Sequence, residues 1–415
     1  MGGWREDVVP IAFLLVFALV LIHPVGLHPT WWIWQPGAPH SDLAVTHWPN
    51  DHFTRRTLWE EGRFPLWRPT IMSGTPFAAN PLAGLYYPPN WLLLFTPWLP
   101  LEIGFNLSAL LHLWLAGVTM VTLMRRGLET GLWGALVGAV AYAGSPKLLA
   151  HLGAGHVGWV QAWAWLPLVV LCALKASAST SRHPWRWAVG GGLVLAVQFC
   201  ADVRTSAYTL AAAVMLILGR LTSQMVQKAR GRKEPGRQPW RSWISDLQFP
   251  LTALAVFVGL SACQWLPAFA LLPETTRSAM TFEDAAVWSL PWRYLIGLFL
   301  ANHGGFQEWM TYPGIGTLVF AYAGARSLWR AQNEPAQSEP WSHQRWLGVW
   351  LVGLVVLGAW FSLGRNGGLF QALWRVVPGL GLLRVPPRAW VLVLFSLATL
   401  AGIGIEGILR RKGRR

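Results

Sequence analysis

A carboxylate that takes a proton from a hydroxyl must stay ionised and reachable. The segment 40–49 (HSDLAVTHWP) holds one in Asp42, just beyond the first apolar run. At that place an aspartate can act as a general base on an acceptor hydroxyl. It can equally be a surface or helix-capping residue. Asp51 and His47 are the alternative acid–base groups of the same stretch. Asp51 opens a run without proline or glycine that suits a short interfacial helix, so capping is its simpler role. His47 stands beside Trp48, where a packed histidine is as good a reading as a base partner.

A second set of residues is cationic. Arg204, Arg277, Arg384 and Arg388 fall at or near the ends of apolar runs, on the side where basic residues are otherwise sparse. A guanidinium forks onto phosphate oxygens, so a phosphate-bearing donor would account for them. Snorkelling, or pairing with Asp202, Glu274, Glu283 or Asp284, would also do so. In Arg384-Val385-Pro386-Pro387-Arg388 the prolines stiffen the spacing between two arginines. His151 and His156 close a short segment (HLGAGH). Histidines five apart do not share a helix face, so the spacing points to no metal site. Hydrogen bonding to a pyrophosphate or sugar and a purely structural turn stay equally open.

What must position these groups is a stack of apolar helices. The chain of 415 residues is 53% hydrophobic and 12% charged, with mean hydropathy +0.37. A soluble domain carries about 25% charged residues, whereas a bilayer span needs roughly 20 apolar ones. Apolar runs recur at 8–24, 101–124, 128–144, 158–175, 187–201, 206–221, 249–269, 314–330, 346–363 and 389–409. These predict an all-α polytopic membrane protein with about ten transmembrane helices, forming one membrane-embedded domain over 1–415. Its 29 tryptophans suit the membrane–water boundary. The first run has no cleavage-type ending and reads as an uncleaved span.

Charge sets the orientation. The net charge of +15 comes chiefly from alternate loops, the segment 220–247 and the tail 410–415 among them. Such placement marks membrane topology, and nucleic acid is not expected as a partner. Both termini are then cytoplasmic. The opposite side carries the first loop, 26–100, with interfacial or re-entrant helices, and the loops 271–313 and 364–388. Cys172, Cys200 and Cys263 lie in apolar runs and form no metal or disulfide pattern. There is no phosphate-binding Gly-Lys loop, so no ATPase is expected of this chain, and no dinucleotide fingerprint or haem-attachment spacing.

Several segments together resemble a known family. They are the loop around Asp42, 62–69 (GRFPLWRP), 73–77 (SGTPF), Asn80-Pro81 and 86–91 (YYPPNW). They continue through 151–156, 164–168 (AWLPL), 264–267 (QWLP) with Ser278 beyond, 363–365 (LGR), 378–380 (PGL) and 383–388 (LRVPPR). In this order they are similar to the bacterial YfhO-like membrane proteins of the GT-C glycosyltransferase superfamily. The resemblance implies a multi-pass protein of the bacterial plasma (inner) membrane whose active site faces outward. It implies a transferase that takes a sugar from a polyprenyl-phosphate donor to an envelope glycan, lipid or protein. Asp42 matches the acidic residue of the first outer loop that serves as base. Arg384, Pro386 and Arg388 match the closing Arg-x-Pro-x-Arg segment. Donor phosphate is expected at Arg384, Arg388, Arg204 and Arg277, and donor or acceptor contacts at His151, His156, Tyr86 and Tyr87. Some GT-C enzymes use a divalent cation, but no ligand set for one is evident here. Members of that family run longer, so a second membrane subunit is one expected source of acceptor binding. A flippase of lipid-linked saccharides and a non-catalytic membrane scaffold are the rival classes. Paired repeats and mid-membrane charges, which a transporter favours, are not seen in the sequence.

Overall fold

The computed structural model describes residues 3–35, 37–177, 183–229, 241–301, 305–330 and 345–412. Much of the basic loop and the last residues of the basic tail lie outside these ranges. Among the described residues the chain is helical, and its one antiparallel bridge joins Arg68 to Thr75 in the first loop.

A first apolar helix, α1 (Gly3–Leu21), leads into a long loop. That loop carries a π-turn at Leu43–His47 running straight into α2 (Trp48–Trp59), then α3 (Pro88–Leu94). Next come α4 (Leu101–Thr122), α5 (Leu132–Ala143), α6 (Pro146–Gly153), α7 (Val157–Trp163) and α8 (Leu166–Ala176). After α9 (Pro184–Ala201) and α10 (Val203–Ala229), α11 (Arg241–Leu260) bends into α12 (Ala262–Leu271). The short α13 (Phe282–Ala285), α14 (Ile315–Arg330), α15 (Arg345–Ser362), α16 (Leu369–Val376) and α17 (Trp390–Lys412) complete the chain.

The chain is a multi-pass membrane protein. Four described helices are long and apolar enough to cross a membrane: Leu101–Gly127, Val157–Ala176, Val203–Val226 and Pro386–Arg411. The pair Pro250–Leu260 and Ala262–Glu274, bent by 66°, would make a fifth. Val8–Leu21 and Trp346–Ser362 are shorter apolar helices. The sequence segmentation into ten runs is therefore coarser than the helices themselves. The run 128–144 yields α5, a helix of 12 residues, about 18 Å long where the hydrocarbon core is about 30 Å thick. The run 249–269 breaks at Ser261 instead of passing straight through.

Burial sorts these helices. The Pro386–Arg411 span is 89% buried within the protein, whereas Val203–Val226 is only 22% buried. A helix apolar on every side belongs in the middle of a bundle, and α17 is that helix, packed by α5, α14 and α15. Its glycines allow the approach. A Cβ on Gly404 would run into the Phe320 carbonyl of α14, and one on Gly324 into the Leu400 carbonyl of α17. Close backbone contact through small residues is a main source of helix association where no water drives it. Gly404→Leu should therefore force α14 from α17 and lower stability by about 3 kcal/mol. Thermal unfolding in detergent checks this, and a wild-type midpoint for the variant would refute the tight crossing.

The first loop is held rigidly against the bundle. Arg55 of α2 donates from Nε and Nη2 to Leu93 O (3.0 and 2.6 Å) and from Nη1 to Leu99 O (2.6 Å). Trp59 Nε1 donates to Leu94 O at 2.8 Å. Two α2 side chains thus satisfy carbonyls at the end of α3 that the helix itself leaves unpaired. Asn106 of α4 anchors the start of the loop by donating to Pro29 O and Trp31 O (2.6 and 2.7 Å).

Candidate active site

Asp42 is placed by the turn that follows α6. Gly155 has φ +81, and a Cβ there would collide with Leu43 N and Ser41 Oγ. Only glycine accepts both the left-handed backbone and the approach. The segment carrying Asp42 then lies on that turn, and Asp42 N donates to Ala154 O at 3.1 Å. The result is a carboxylate 52% exposed whose Oδ2 is 3.3 Å from His156 Nε2.

From Asp42 a polar chain runs inward. His156 Nδ1 meets His151 Nδ1 at 2.6 Å. His151 is fully buried, stacked on Trp159 with ring centres 4.0 Å apart, and its Nε2 is 3.6 Å from Glu308 Oε2. Glu308 Oε1 accepts from Arg388 Nε and Nη2 at 2.9 and 2.6 Å. Lys147, four residues before His151 on the inner face of α6, donates from Nζ to Glu308 O at 2.8 Å. Lys147 and Glu308 are completely buried.

The electrostatics follow from these contacts. The hydrogen-bonding contact with His156 holds the Asp42 carboxyl below its usual range, against partial burial and with help from His47 and Arg388. Burial alone would raise the Glu308 carboxyl, but Arg388 and Lys147 outweigh it and hold it down. Burial, with the nearby cations, pushes the His151 imidazole well down. Lys147 is brought down to about 8 by burial. His47 lies partly open in the same neighbourhood, and desolvation pushes it down to about 4.

The four arginines converge but are not equivalent. Arg277 is held below its usual range by desolvation and by repulsion from Arg204, Arg384 and Arg388. Arg204 is claimed by Asp202, whose Oδ2 accepts its Nε at 3.0 Å, so the pairing alternative applies there. Arg388 is 6% exposed and turned inward onto Glu308. Arg277 and Arg384 are exposed and donate only to backbone oxygens, Leu382 O at 3.0 Å and Asp284 O at 3.3 Å. The two arginines of 384–388 therefore do not act as one fork. Val385 between them has φ +63, a strained value for a β-branched residue, and there the chain turns one arginine out and the other in.

The remaining candidates lie elsewhere. The Tyr87 hydroxyl is buried, 2.6 Å from His112 Nε2, and accepts from Trp165 Nε1 at 2.8 Å, so it is already saturated. Tyr86 is partly buried near Phe64. Asp51 is buried in α2 and is not joined to the Asp42 chain. Burial raises its carboxyl to about 7, against the attraction of Arg55. A folded-state value above the unfolded one means that the folded state binds the proton more tightly. Stability should then fall as pH rises from about 4 to 7, by about 4 kcal/mol, and level off above. Asp51→Asn is expected to raise the unfolding midpoint at pH 8 and leave it unchanged below pH 4. An equal shift at both values would contradict this.

Glu308 and Lys147 carry no sequence signal of comparable force. Glu308 is one acid in a long loop. Lys147 could have been found as the residue one helical turn before His151. His151, His156 and Glu308 each present a ligand atom within 4.8 Å of the others. The group suits an ion poorly. Two nitrogens on one zinc at about 2.0 Å each stand roughly 3.3 Å apart, whereas the Nδ1 atoms are 2.6 Å apart. Arg388 and Lys147 also bring positive charge to the one carboxylate of the set.

No family model matches the chain, and no curated protein matches it in sequence. Among solved structures it aligns with the arabinofuranosyltransferase AftD from Mycobacteria, determined by single-particle cryo-electron microscopy. That alignment has 17% identity and a TM-score of 0.49, and covers 99% of this chain and 27% of the other, so this chain spans about a quarter of that protein's length.

Proposed function

We propose that the chain is a membrane glycosyltransferase of the GT-C type, moving a sugar from a polyprenyl-phosphate donor to a hydroxyl of an envelope acceptor on the outer face. The observation that carries this reading is the open Asp42, its carboxyl held low by His156 and within the field of Arg388, together with the mutual proximity of Arg388, Arg204, Arg277 and Arg384. A donor with its tail in the bilayer would bring its phosphate to the exposed Arg277 and Arg384, whose side-chain hydrogen bonds go to backbone oxygens, with Asp284 near enough to Arg384 to feel its charge. Arg204 and Arg388, each countered by an acid, would add field more than direct contact. Cations at that point stabilise the charge that grows on the leaving phosphate. Asp42 takes the proton as the acceptor oxygen attacks the anomeric carbon, and a single displacement inverts that centre.

The test is transfer of radiolabelled sugar from a panel of polyprenyl-phosphate donors in proteoliposomes, with fluorescence quenching of labelled lipid in parallel. Incorporation into an acceptor supports the reading. Lipid crossing the bilayer with no sugar transferred would replace it with a flippase.

A further inference from the structure

Residues 66–75 of the first loop form a hairpin whose tip is built outward. Arg68 and Thr75 exchange both backbone hydrogen bonds at 2.9 Å, and Gly74 N donates to Ile71 O at 2.8 Å. Met72 and Ser73 have φ +50 and +61, values that persist only where the surrounding structure imposes them. Gly74, with φ +116, lies under the Trp67 indole, where a Cβ would collide with the ring. This strained turn leaves Met72 88% exposed, and Phe64, Leu66, Trp67 and Ile71 are exposed as well. Apolar side chains grouped in this way mark a surface made for contact.

Two observations say what covers it. The first is position. Phe77–Ala79, directly after the hairpin, packs on α12, the second half of the bent pair that would make a fifth span. On α12 Leu266 and Phe269 are exposed. Phe64 and Tyr86, with ring centres 6.5 Å apart, join the hairpin to the start of α3, where Leu92 is exposed, as are Phe95 and Trp98 beyond it. The hairpin thus continues an apolar surface that belongs to the membrane. The second is charge. The segment 62–101 holds Arg63 and Arg68 but no aspartate or glutamate. Arg68 bonds to the neutral side chains of Asn50 (2.8 Å) and Thr70 (3.3 Å) and keeps its charge. A guanidinium among aromatic and aliphatic groups suits the phosphate level of a bilayer. A second copy of the chain would bring arginine against arginine.

We propose that this hairpin is a lipid anchor, with Ile71 and Met72 dipping into the boundary between headgroups and acyl chains and Arg68 at the level of the lipid phosphates. Its own backbone hydrogen bonds suit it to shallow entry, since unpaired N–H and C=O groups are not tolerated deeper. Phe77 packs on Phe53 of α2 with ring centres 4.9 Å apart. The anchor therefore sets the height of α2, which continues from the Leu43–His47 turn, and so the height of Asp42 at the bilayer surface. The inference concerns lipid contact and stands whether or not the chain transfers a sugar.

The test reads nitroxide labels on the full chain in vesicles of phosphatidylethanolamine and phosphatidylglycerol. Met72→Cys and Leu66→Cys are labelled separately in a Cys263→Ser background, Cys172 and Cys200 being buried. Oxygen collects among the acyl chains and a nickel chelate stays in water, so power saturation of the spin resonance reports where each label sits. Both labels should respond to oxygen severalfold more than to the chelate. Ile71→Asp/Met72→Asp should reverse that preference at Leu66→Cys. The same pair of substitutions should leave the unfolding midpoint in detergent unchanged, because both side chains are exposed. Chelate access equal to oxygen access would put the hairpin in water and overturn the anchor. Labels shielded from both probes, or broadened by a label on a neighbouring copy, would mean that protein covers the tip, and would overturn it too. A Leu66→Cys label indifferent to the double substitution would do the same.

Discussion

The Asp42→Asn protein is expected to fold like the wild type and to lose sugar transfer by a factor of about 10² to 10⁴, the range of a positioned general base. The fold should survive because the side chain is 52% exposed and makes a single polar contact, with His156. An amide can keep that contact but cannot hold the proton. Asp42→Glu keeps the charge and shifts it by one methylene, so it should retain part of the activity. The contact with His156 holds the Asp42 carboxyl below its usual range, so protonation of Asp42 should not slow the wild type until the pH falls below about 4. Initial rates of transfer across pH 4 to 8 check both statements. An Asp42→Asn enzyme with wild-type kcat would remove Asp42 from the chemistry.

The second large effect concerns Arg388 and Glu308. Their side chains are 7% and 0% exposed and bonded through two nitrogens of the guanidinium. Breaking a buried pair on one side leaves an uncompensated charge, which costs about 3–5 kcal/mol. Arg388→Met should thus unfold far below the wild-type temperature, softened only by Lys147 beside the same acid. Glu308→Gln leaves the guanidinium without its counter-charge, and a loss of similar order is expected. In the double variant Arg388→Met/Glu308→Gln neither charge is stranded, so its loss should fall short of the sum by about 1–3 kcal/mol. A double-mutant cycle on thermal or denaturant unfolding measures that difference. Additive losses would show that the two residues do not hold each other. The same cycle bears on the phosphate site, since an Arg388 spent on Glu308 makes donor affinity depend on Arg277 and Arg384 first.

Helix and membrane character were legible in the sequence because partition between water and lipid is a property of local composition. A run such as 389–409 declares itself apolar without knowledge of its neighbours. Asp42 was legible as a candidate because it matches the acidic position of the first outer loop in the family the sequence resembles, and the HLGAGH segment because its glycines and histidines are closely set. Composition could not say that α17 is the buried axis of the bundle, since lipid and protein interior ask for the same side chains. Nor could it show that 249–269 bends at Ser261.

The partners of the charged groups were decided by tertiary structure alone. Asp42 and Glu308 stand at the two ends of one histidine pair although 266 residues separate them in the chain. Arg384 and Arg388, spaced as a fork in sequence, part because Val385 adopts a left-handed backbone that no pattern of residue types announces. Electrostatic pairing depends on distance in space and on burial. Both are set by packing of helices far apart along the chain, so the sequence by itself determined which residues could do chemistry, and only the fold decided which of them meet.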